Sequence, residues 1–272
     1  MNKQSSAAEG LAWSETQGAT YLEEIRRQRL AWERKPVLRK LYRRWYEQCV
    51  AQLSPLRPVV EVGAGSGNFK EFFPSAISSD VFKTGPWIDL VMDADHLGLR
   101  ERAVGNILVF DVIHHLHSPV NFLRRAVGAL KPGGRLVLCE PALSPWSRLV
   151  YGLFHHETVN LNWKCPATEE GIGNPDPGHL FANMAIPEIL FFKRRAQTLE
   201  MLPSARLVEA RKFAFLLYPL TGGFGYRSFV PEAAFSFLLR IEDVVTRIIP
   251  SSLTGMRMLI VLEKAGFGDG RL

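Results

Sequence analysis

The run Val59-Val60-Glu61-Val62, followed at once by Gly63-Ala64-Gly65-Ser66-Gly67, constrains this chain more than any other feature. A short β-branched run reads as a buried strand. Glycines at alternate positions directly after it permit a tight turn and let a ligand approach the backbone closely. Placed before a helix, such a loop binds a nucleoside-bearing cofactor at the carboxyl edge of a parallel sheet. The spacing is G-x-G-x-G, and Asn68 stands where a dinucleotide fingerprint needs its last glycine. That ranks a nicotinamide oxidoreductase third among the readings. The next acid at a strand end is Asp80, 19 residues after Glu61. A carboxylate there can accept both ribose hydroxyl protons.

The rest of the pattern fits that start. Short apolar runs recur at 76–79, 90–92, 106–110 and 135–139. A helical pattern from Val120 to Leu130 lies between the last two and stops at Lys131-Pro132-Gly133-Gly134. Strands alternating with helices predict a parallel sheet covered on both faces. Residues 141–184 break the rhythm with Pro, Gly, Asn and aromatics, as a lid or substrate loop would. Beyond them the pattern predicts a helix over 187–202, strands over 206–217 and 256–262, and a helix over 231–249. Ahead of the glycine loop, residues 1–18 read as a loose tail. Two helices broken near Pro36 follow, between Tyr21 and Gln52. The expected organisation is a helical extension over 1–57, a domain over 58–265 with an insertion at 141–184, and a tail at 266–272.

The order of motifs is more specific than any one of them. Val59-Val60-Glu61-Val62-Gly63-Ala64-Gly65-Ser66-Gly67 comes first, then Asp80, Asp93-Ala94-Asp95-His96-Leu97, and Phe110-Asp111-Val112-Ile113-His114-His115-Leu116. Leu130-Lys131-Pro132-Gly133-Gly134-Arg135-Leu136 closes the series. Together they resemble the class I S-adenosylmethionine-dependent methyltransferases, nearest the small-molecule group that includes quinone and sterol methyltransferases. The resemblance covers about residues 58–141. It implies a Rossmann-like three-layer α/β fold, its mostly parallel seven-stranded sheet ordered 3-2-1-4-5-7-6 with only the last strand antiparallel. It implies S-adenosyl-L-methionine as cofactor. Glu61, Gly63, Ala64, Gly65 and Gly67 would line its methionine and ribose side, and Asp80 would hold the ribose hydroxyls. Asp93 and the backbone of Ala94 would meet the adenine, and Asp111 would lie beneath the sulfonium. Where the family often shows Leu-Pro-Phe, this chain has Leu97-Gly98-Leu99.

All seven histidines lie between His96 and His179. Methyl transfer needs a general base only when the acceptor must lose a proton. The candidates are His114 and His115 after the fourth strand, and His155 and His156 in the insertion, with Glu157 beside them. Glu140, ending the fifth strand, would either contact substrate or cap the following helix. No metal site is expected, because three widely spaced cysteines and the absence of an HExxH helix offer no ligand set.

The net charge of +6 is unevenly placed: residues 1–57 hold 11 Lys/Arg and 6 Asp/Glu. Arg26–Arg44 contains nine basic residues and one acid, Glu33. A large nucleic-acid footprint would spread its charge more widely, so RNA as methyl acceptor is the second reading. A non-catalytic binding protein on the same fold is the alternative from another class. The basic segment suits an anionic membrane surface or an acidic acceptor. Aromatics in the insertion suit a small apolar or lipid-like acceptor. Cysteine usage, the polar start and the lack of a long apolar run predict a cytoplasmic protein, with membrane-surface contact through the basic helices. Oligomeric state is not encoded in any of these features.

Overall fold

The computed structural model describes residues 14–154, 158–163 and 182–266. Helix α1 runs from Glu15 to Arg34. It begins earlier than the pattern predicts because Ser14 and Gln17 form a capping box. Residues 15–18 are thus helix and not tail. Helix α2, Pro36–Val50, opens on a proline, whose fixed φ and missing N–H suit the first helical turn. Its buried face carries Leu38, Leu41, Tyr42, Trp45, Tyr46 and Cys49. At roughly 1.5–3 kcal/mol per large apolar side chain, this face fastens the extension to the domain.

Seven strands form one sheet: β1 Val59–Val62, β2 Ile77–Asp80, β3 Leu90–Val91, β4 Val104–Phe110, β5 Leu130–Pro141, β6 Ala205–Phe213 and β7 Arg257–Lys264. Their order is 3-2-1-4-5-7-6. β1 pairs parallel with β2 and β4, β2 with β3, and β4 with β5. β7 pairs antiparallel with both β5 and β6, so it alone runs against the rest. The expected α/β architecture is what forms.

Alternation along the central strands sorts their side chains between two cores. Ile107, Val109, Leu136, Leu138, Ile260 and Leu262 face one layer with Phe122, Leu123 and Ala126 of helix α4, Pro119–Ala129. Leu108, Val137, Leu259 and Val261 face the other, packed on Leu41, Tyr42 and Trp45 of α2. The N-terminal extension is therefore one covering layer of the sheet. Buried Asn106 on β4 secures the linker, exchanging hydrogen bonds with the N–H and C=O of Ser54 and the C=O of Leu56.

Three local expectations are corrected. The helix predicted over 187–202 is broken: a π-turn, Ile189–Lys193, ends at Arg194, and a second helix spans Arg195–Glu200. The strand predicted to reach residue 217 ends at Phe213, because Ala214 adopts a left-handed φ of 60°. The insertion begins with a regular helix, α5, Pro145–Phe154. The glycine-rich run Gly171–Gly178 lies outside the described residues.

Candidate active site

The carboxyl ends of β1, β2 and β4 open into a cleft of about 1730 Å³. That exceeds the roughly 300–1,000 Å³ of a single small-ligand pocket, leaving room for a cofactor and an acceptor. Glu61, Gly63, Ala64, Gly65, Asp80, Asp93, Ala94 and Asp111 line it, as do His114 and His115.

The glycine loop has a physical reason for each glycine. Gly63, Gly65 and Gly67 take φ of 75°, 49° and 76°, which side chains on Cβ resist. A Cβ on Gly63 would fall 2.3 Å from Val112, and one on Gly67 would fall 2.4 Å from the Trp87 ring. Gly67 caps the short helix α3, Asn68–Phe72, and is not among the residues lining the cleft. Trp87 in turn donates its Nε1–H to the carbonyl of Gly65 at 3.0 Å.

Two acids flank the loop. Glu61 is buried, accepts the Ser78 hydroxyl at 2.7 Å, and is raised by that burial to about 7. Asp80 is also buried, which pushes its carboxyl up. Its Oδ2 accepts the Gly65 N–H at 2.7 Å and its Oδ1 accepts the Tyr21 hydroxyl at 2.9 Å. Helix α1 thus lies over this end of the cleft, with Tyr21, Glu24, Ile25 and Gln28 lining it.

Asp93 is held as a turn, its Oδ1 accepting Asp95 N–H and its Oδ2 meeting His96 Nδ1 at 2.8 Å. Asp95 binds His117 Nδ1 at 3.1 Å and the N–H of Ser118 at 2.9 Å. The Asp95 hydrogen bond raises His117, while burial opposes and His117 favours the lowered value of Asp95.

Beneath the loop lies a buried polar knot. Asp111, at a left-handed φ of 59°, receives Arg257 Nη1 at 2.6 Å. The Arg257 guanidinium lies 5.1 Å from the Trp45 ring and 4.7 Å from the Phe110 ring. Glu140 Oε1 accepts the N–H groups of Val112 and Ile113, both at 2.9 Å. Its Oε2 meets His114 Nδ1 at 2.6 Å. Burial works against this carboxylate's charge, yet His114 and the two N–H groups hold it below its ordinary range. Glu140 therefore neither lies exposed to substrate nor caps the following helix; it caps the turn after β4 and orients His114. Asp111, His114 and Glu140 offer ligand atoms within 4.8 Å of one another. Arg257 and two backbone N–H groups already occupy those carboxylates, so the knot is built for hydrogen bonds.

The geometry suits the expected cofactor. Three left-handed glycines let a ligand approach the loop backbone, and two buried carboxylates, Asp80 at the end of β2 and Glu61 on β1, stand beside it. The description "Methyltransferase domain" matches residues 32–185, more than half of the chain. The chain belongs to the methyltransferase-domain family. It is a class I, S-adenosylmethionine-dependent methyltransferase in fold and cofactor. A possible histamine N-methyltransferase from Thermotoga maritima is similar at TM-score 0.54 and 16% identity, over 92% of this chain and 100% of that one. A SAM-dependent methyltransferase from Archaeoglobus fulgidus is similar at TM-score 0.51 and 16% identity, over 83% and 94%. No curated protein matches the chain significantly.

Within this methyltransferase domain, the predicted site residues gather with few exceptions. Gly67 sits behind the loop, and His155 and His156 lie outside the described residues. Several residues of the cleft were not singled out from sequence. Tyr21 sits in a segment that gives no signal beyond helical spacing. Arg257 begins an apolar strand, Arg257-Met258-Leu259-Ile260-Val261-Leu262, where a lone arginine is itself a hint. Tyr42, Tyr46, Tyr151, Tyr218 and Phe224 add aromatic rings to the cleft wall.

The basic segment is largely engaged with the fold. Arg29 pairs with Glu33 and Glu71, Lys40 with Glu232, and Arg44 with Asp243. Lys35 donates to the carbonyls of Gly223 and Tyr226. These charges tie helices together more than they ring an entrance.

Proposed function

We propose that this methyltransferase moves a methyl group to an oxygen of a small, apolar or lipid-like acceptor that lies against the aromatic side chains of the cleft. Nitrogen and carbon acceptors remain the neighbouring cases. The observation that carries the reading is the buried His114–Glu140 pair, 2.6 Å apart, with His114 on the wall of the cleft that the glycine loop and the aromatics also line. S-adenosylmethionine, when bound, supplies an electrophilic methyl on a positively charged sulfur.

The chain's own residues would then do three things. Glu61, the glycine loop, Asp80, Asp93 and Ala94 bind and orient the cofactor. Tyr151, Tyr218 and Phe224 hold the acceptor and exclude water, so that nucleophile and methyl meet in near-attack geometry. Glu140 fixes His114 with Nδ1–H toward the carboxylate, which makes Nε2 the proton-accepting nitrogen. A buried, ionised Glu140 also stabilises the imidazolium formed when the acceptor hydroxyl gives up its proton. The His115 ring packs tilted against His114, with centroids 4.2 Å apart, and is the second candidate base. His155 and His156 stay candidates by position in the sequence alone.

RNA is the weaker acceptor because Arg29, Lys40 and Arg44 of the basic segment are paired within the fold. The experiment is transfer of labelled methyl from S-adenosylmethionine into a cell extract, partitioned into lipid, aqueous and RNA fractions. Label in the lipid or apolar fraction, lost in His114→Ala, is expected. Label in RNA would favour the second reading. Binding of S-adenosylmethionine without release of S-adenosylhomocysteine in any fraction would make the chain a binding protein.

A further inference from the structure

The described residues expose fifteen large apolar side chains, and eleven of them sit on three segments: α5, residues 216–229, and residues 237–253. A soluble surface rarely gathers apolar groups this way without a partner. On helix Phe235–Ile248 the exposed residues Phe237, Ile241, Val244 and Ile248 follow one another at spacings of four, three and four, which is one helical stripe. Ile248 is 76% exposed and Phe229 78%.

The three segments adjoin. Trp146 of α5 donates to the carbonyl of Phe215, whose N–H is bound by Glu242 of the helix Phe235–Ile248. The turn Ser251–Thr254 packs on α5, and the Phe154 ring meets Tyr226 edge-on at 6.2 Å. Phe154, Tyr226, Arg227 and Phe229 are both exposed and part of the cleft wall. The apolar face therefore borders the cleft at α5 and the loop 216–229.

Charge decides what covers this face. Its exposed arginines are Arg148, Arg227, Arg240 and Arg247, and no ion pair among the described residues engages them. The described acids on or beside these segments are engaged: Glu242 is buried on the N–H groups of Phe215, Leu216 and Leu217, Asp243 pairs with Arg44, and the exposed Glu232 pairs with Lys40. Among the described residues, a face of apolar side chains bordered by unpaired arginines and by acids already paired with cations complements an anionic bilayer surface, where each part meets its counterpart at the depth it needs. A second copy of the same face would set arginine against arginine.

We infer that α5, the loop 216–229 and the helix Phe235–Ile248 form a docking surface for an anionic lipid membrane, with the cleft bordering the docked face. This moves membrane contact away from Arg26–Arg44, whose charges are largely spent within the fold. It stands whichever atom receives the methyl group.

The test is co-sedimentation of the full chain with phosphatidylcholine vesicles, with and without phosphatidylglycerol, at low and high salt. Wild type should bind the anionic vesicles and release in high salt. Ile241→Glu/Ile248→Glu and Arg240→Glu/Arg247→Glu should each weaken binding roughly tenfold or more, with melting temperature and cofactor affinity unchanged. Arg240→Lys/Arg247→Lys should retain binding, and so should Arg26→Glu on α1. Wild type left in the supernatant with anionic vesicles at low salt overturns the inference. So does binding that the Ile241 and Ile248 substitutions do not touch. A concentration-dependent dimer in sedimentation velocity, dissolved by Ile248→Glu, would give the face to a second copy instead.

Discussion

The hydroxyl of Tyr21 in α1 donates to Oδ1 of Asp80 at the end of β2, 2.9 Å away and 59 residues along the chain. The same carboxylate takes the Gly65 N–H on its other oxygen. It therefore enters cofactor binding with part of its accepting capacity already used. Two ribose hydroxyls can both donate to Asp80 only if Tyr21 gives up its place. Tyr21→Phe should then strengthen S-adenosylmethionine binding by roughly tenfold, because the free protein loses a charged hydrogen bond of about 1.5 kcal/mol and the complex does not. Its melting temperature without cofactor should fall. Asp80→Ala should weaken binding by roughly tenfold or more. Calorimetry on both variants checks this; weaker binding in Tyr21→Phe would mean that the phenol serves the complex.

Gly65 tests the loop itself. A Cβ there would meet only Ile25 of α1, at 3.3 Å, whereas Gly63 and Gly67 would drive a Cβ into Val112 or Trp87. Gly65→Val is thus the substitution that fills cofactor space at the least structural cost. Strain at φ 49° should lower stability by about 1 kcal/mol, while cofactor affinity should drop beyond detection. Tight binding by a folded Gly65→Val protein would show that the cofactor does not approach this backbone.

For the proposed base, Glu140→Gln is the informative change. It keeps a carbonyl for the N–H groups of Val112 and Ile113 but removes the charge facing His114. Turnover should fall roughly 100-fold, in the range of general-base contributions, with the acceptor KM little changed. The acidic limb of the pH–rate profile should shift to lower pH, because imidazolium loses its counter-ion. A purely structural Glu140 would reduce turnover without moving that limb. Its effect should also vanish in a His114→Ala background.

How much of this was legible beforehand depends on the range of the interactions. The glycine loop and Asp80 are local devices, and their chemistry is written in nearby residues; Lys131-Pro132-Gly133-Gly134, which reads as a turn, lies instead inside β5, where the pairing with β4 is irregular. Sheet order followed from the succession of motifs and their resemblance to a family. The knot of Asp111, Glu140, His114 and Arg257 was only half visible. Three of its members end β4 or β5, or follow them, but Arg257 joins from 146 residues away. Burial of Glu140 could not be read from a strand end that faces an open cleft in projection. Likewise, counting charge in Arg26–Arg44 could not reveal that Arg44 and Lys40 have partners in Asp243 and Glu232. The exposed stripe Phe237, Ile241, Val244 and Ile248 looks in sequence like a core-facing stripe; only the fold shows that it is turned outward.

Glu61 gives the protein a pH dependence whose sign is fixed. Burial raises its pKa in the folded chain to about 7, above the ordinary carboxylate value of about 4.3. Between those values the folded protein holds a proton that the unfolded chain has lost. Stability without cofactor therefore falls as pH rises through this window, by roughly 4 kcal/mol once Glu61 is ionised. Glu61→Gln can still accept the Ser78 hydroxyl but does not titrate. Its melting temperature should match wild type near pH 4 and exceed it at pH 8.5. The cofactor's positive charge should reverse the preference, so that wild-type affinity for S-adenosylmethionine rises with pH through 7 relative to the variant. Thermal unfolding and calorimetry at the two pH values measure both effects. A wild-type-to-variant difference that does not change with pH would show that Glu61 does not titrate in this range.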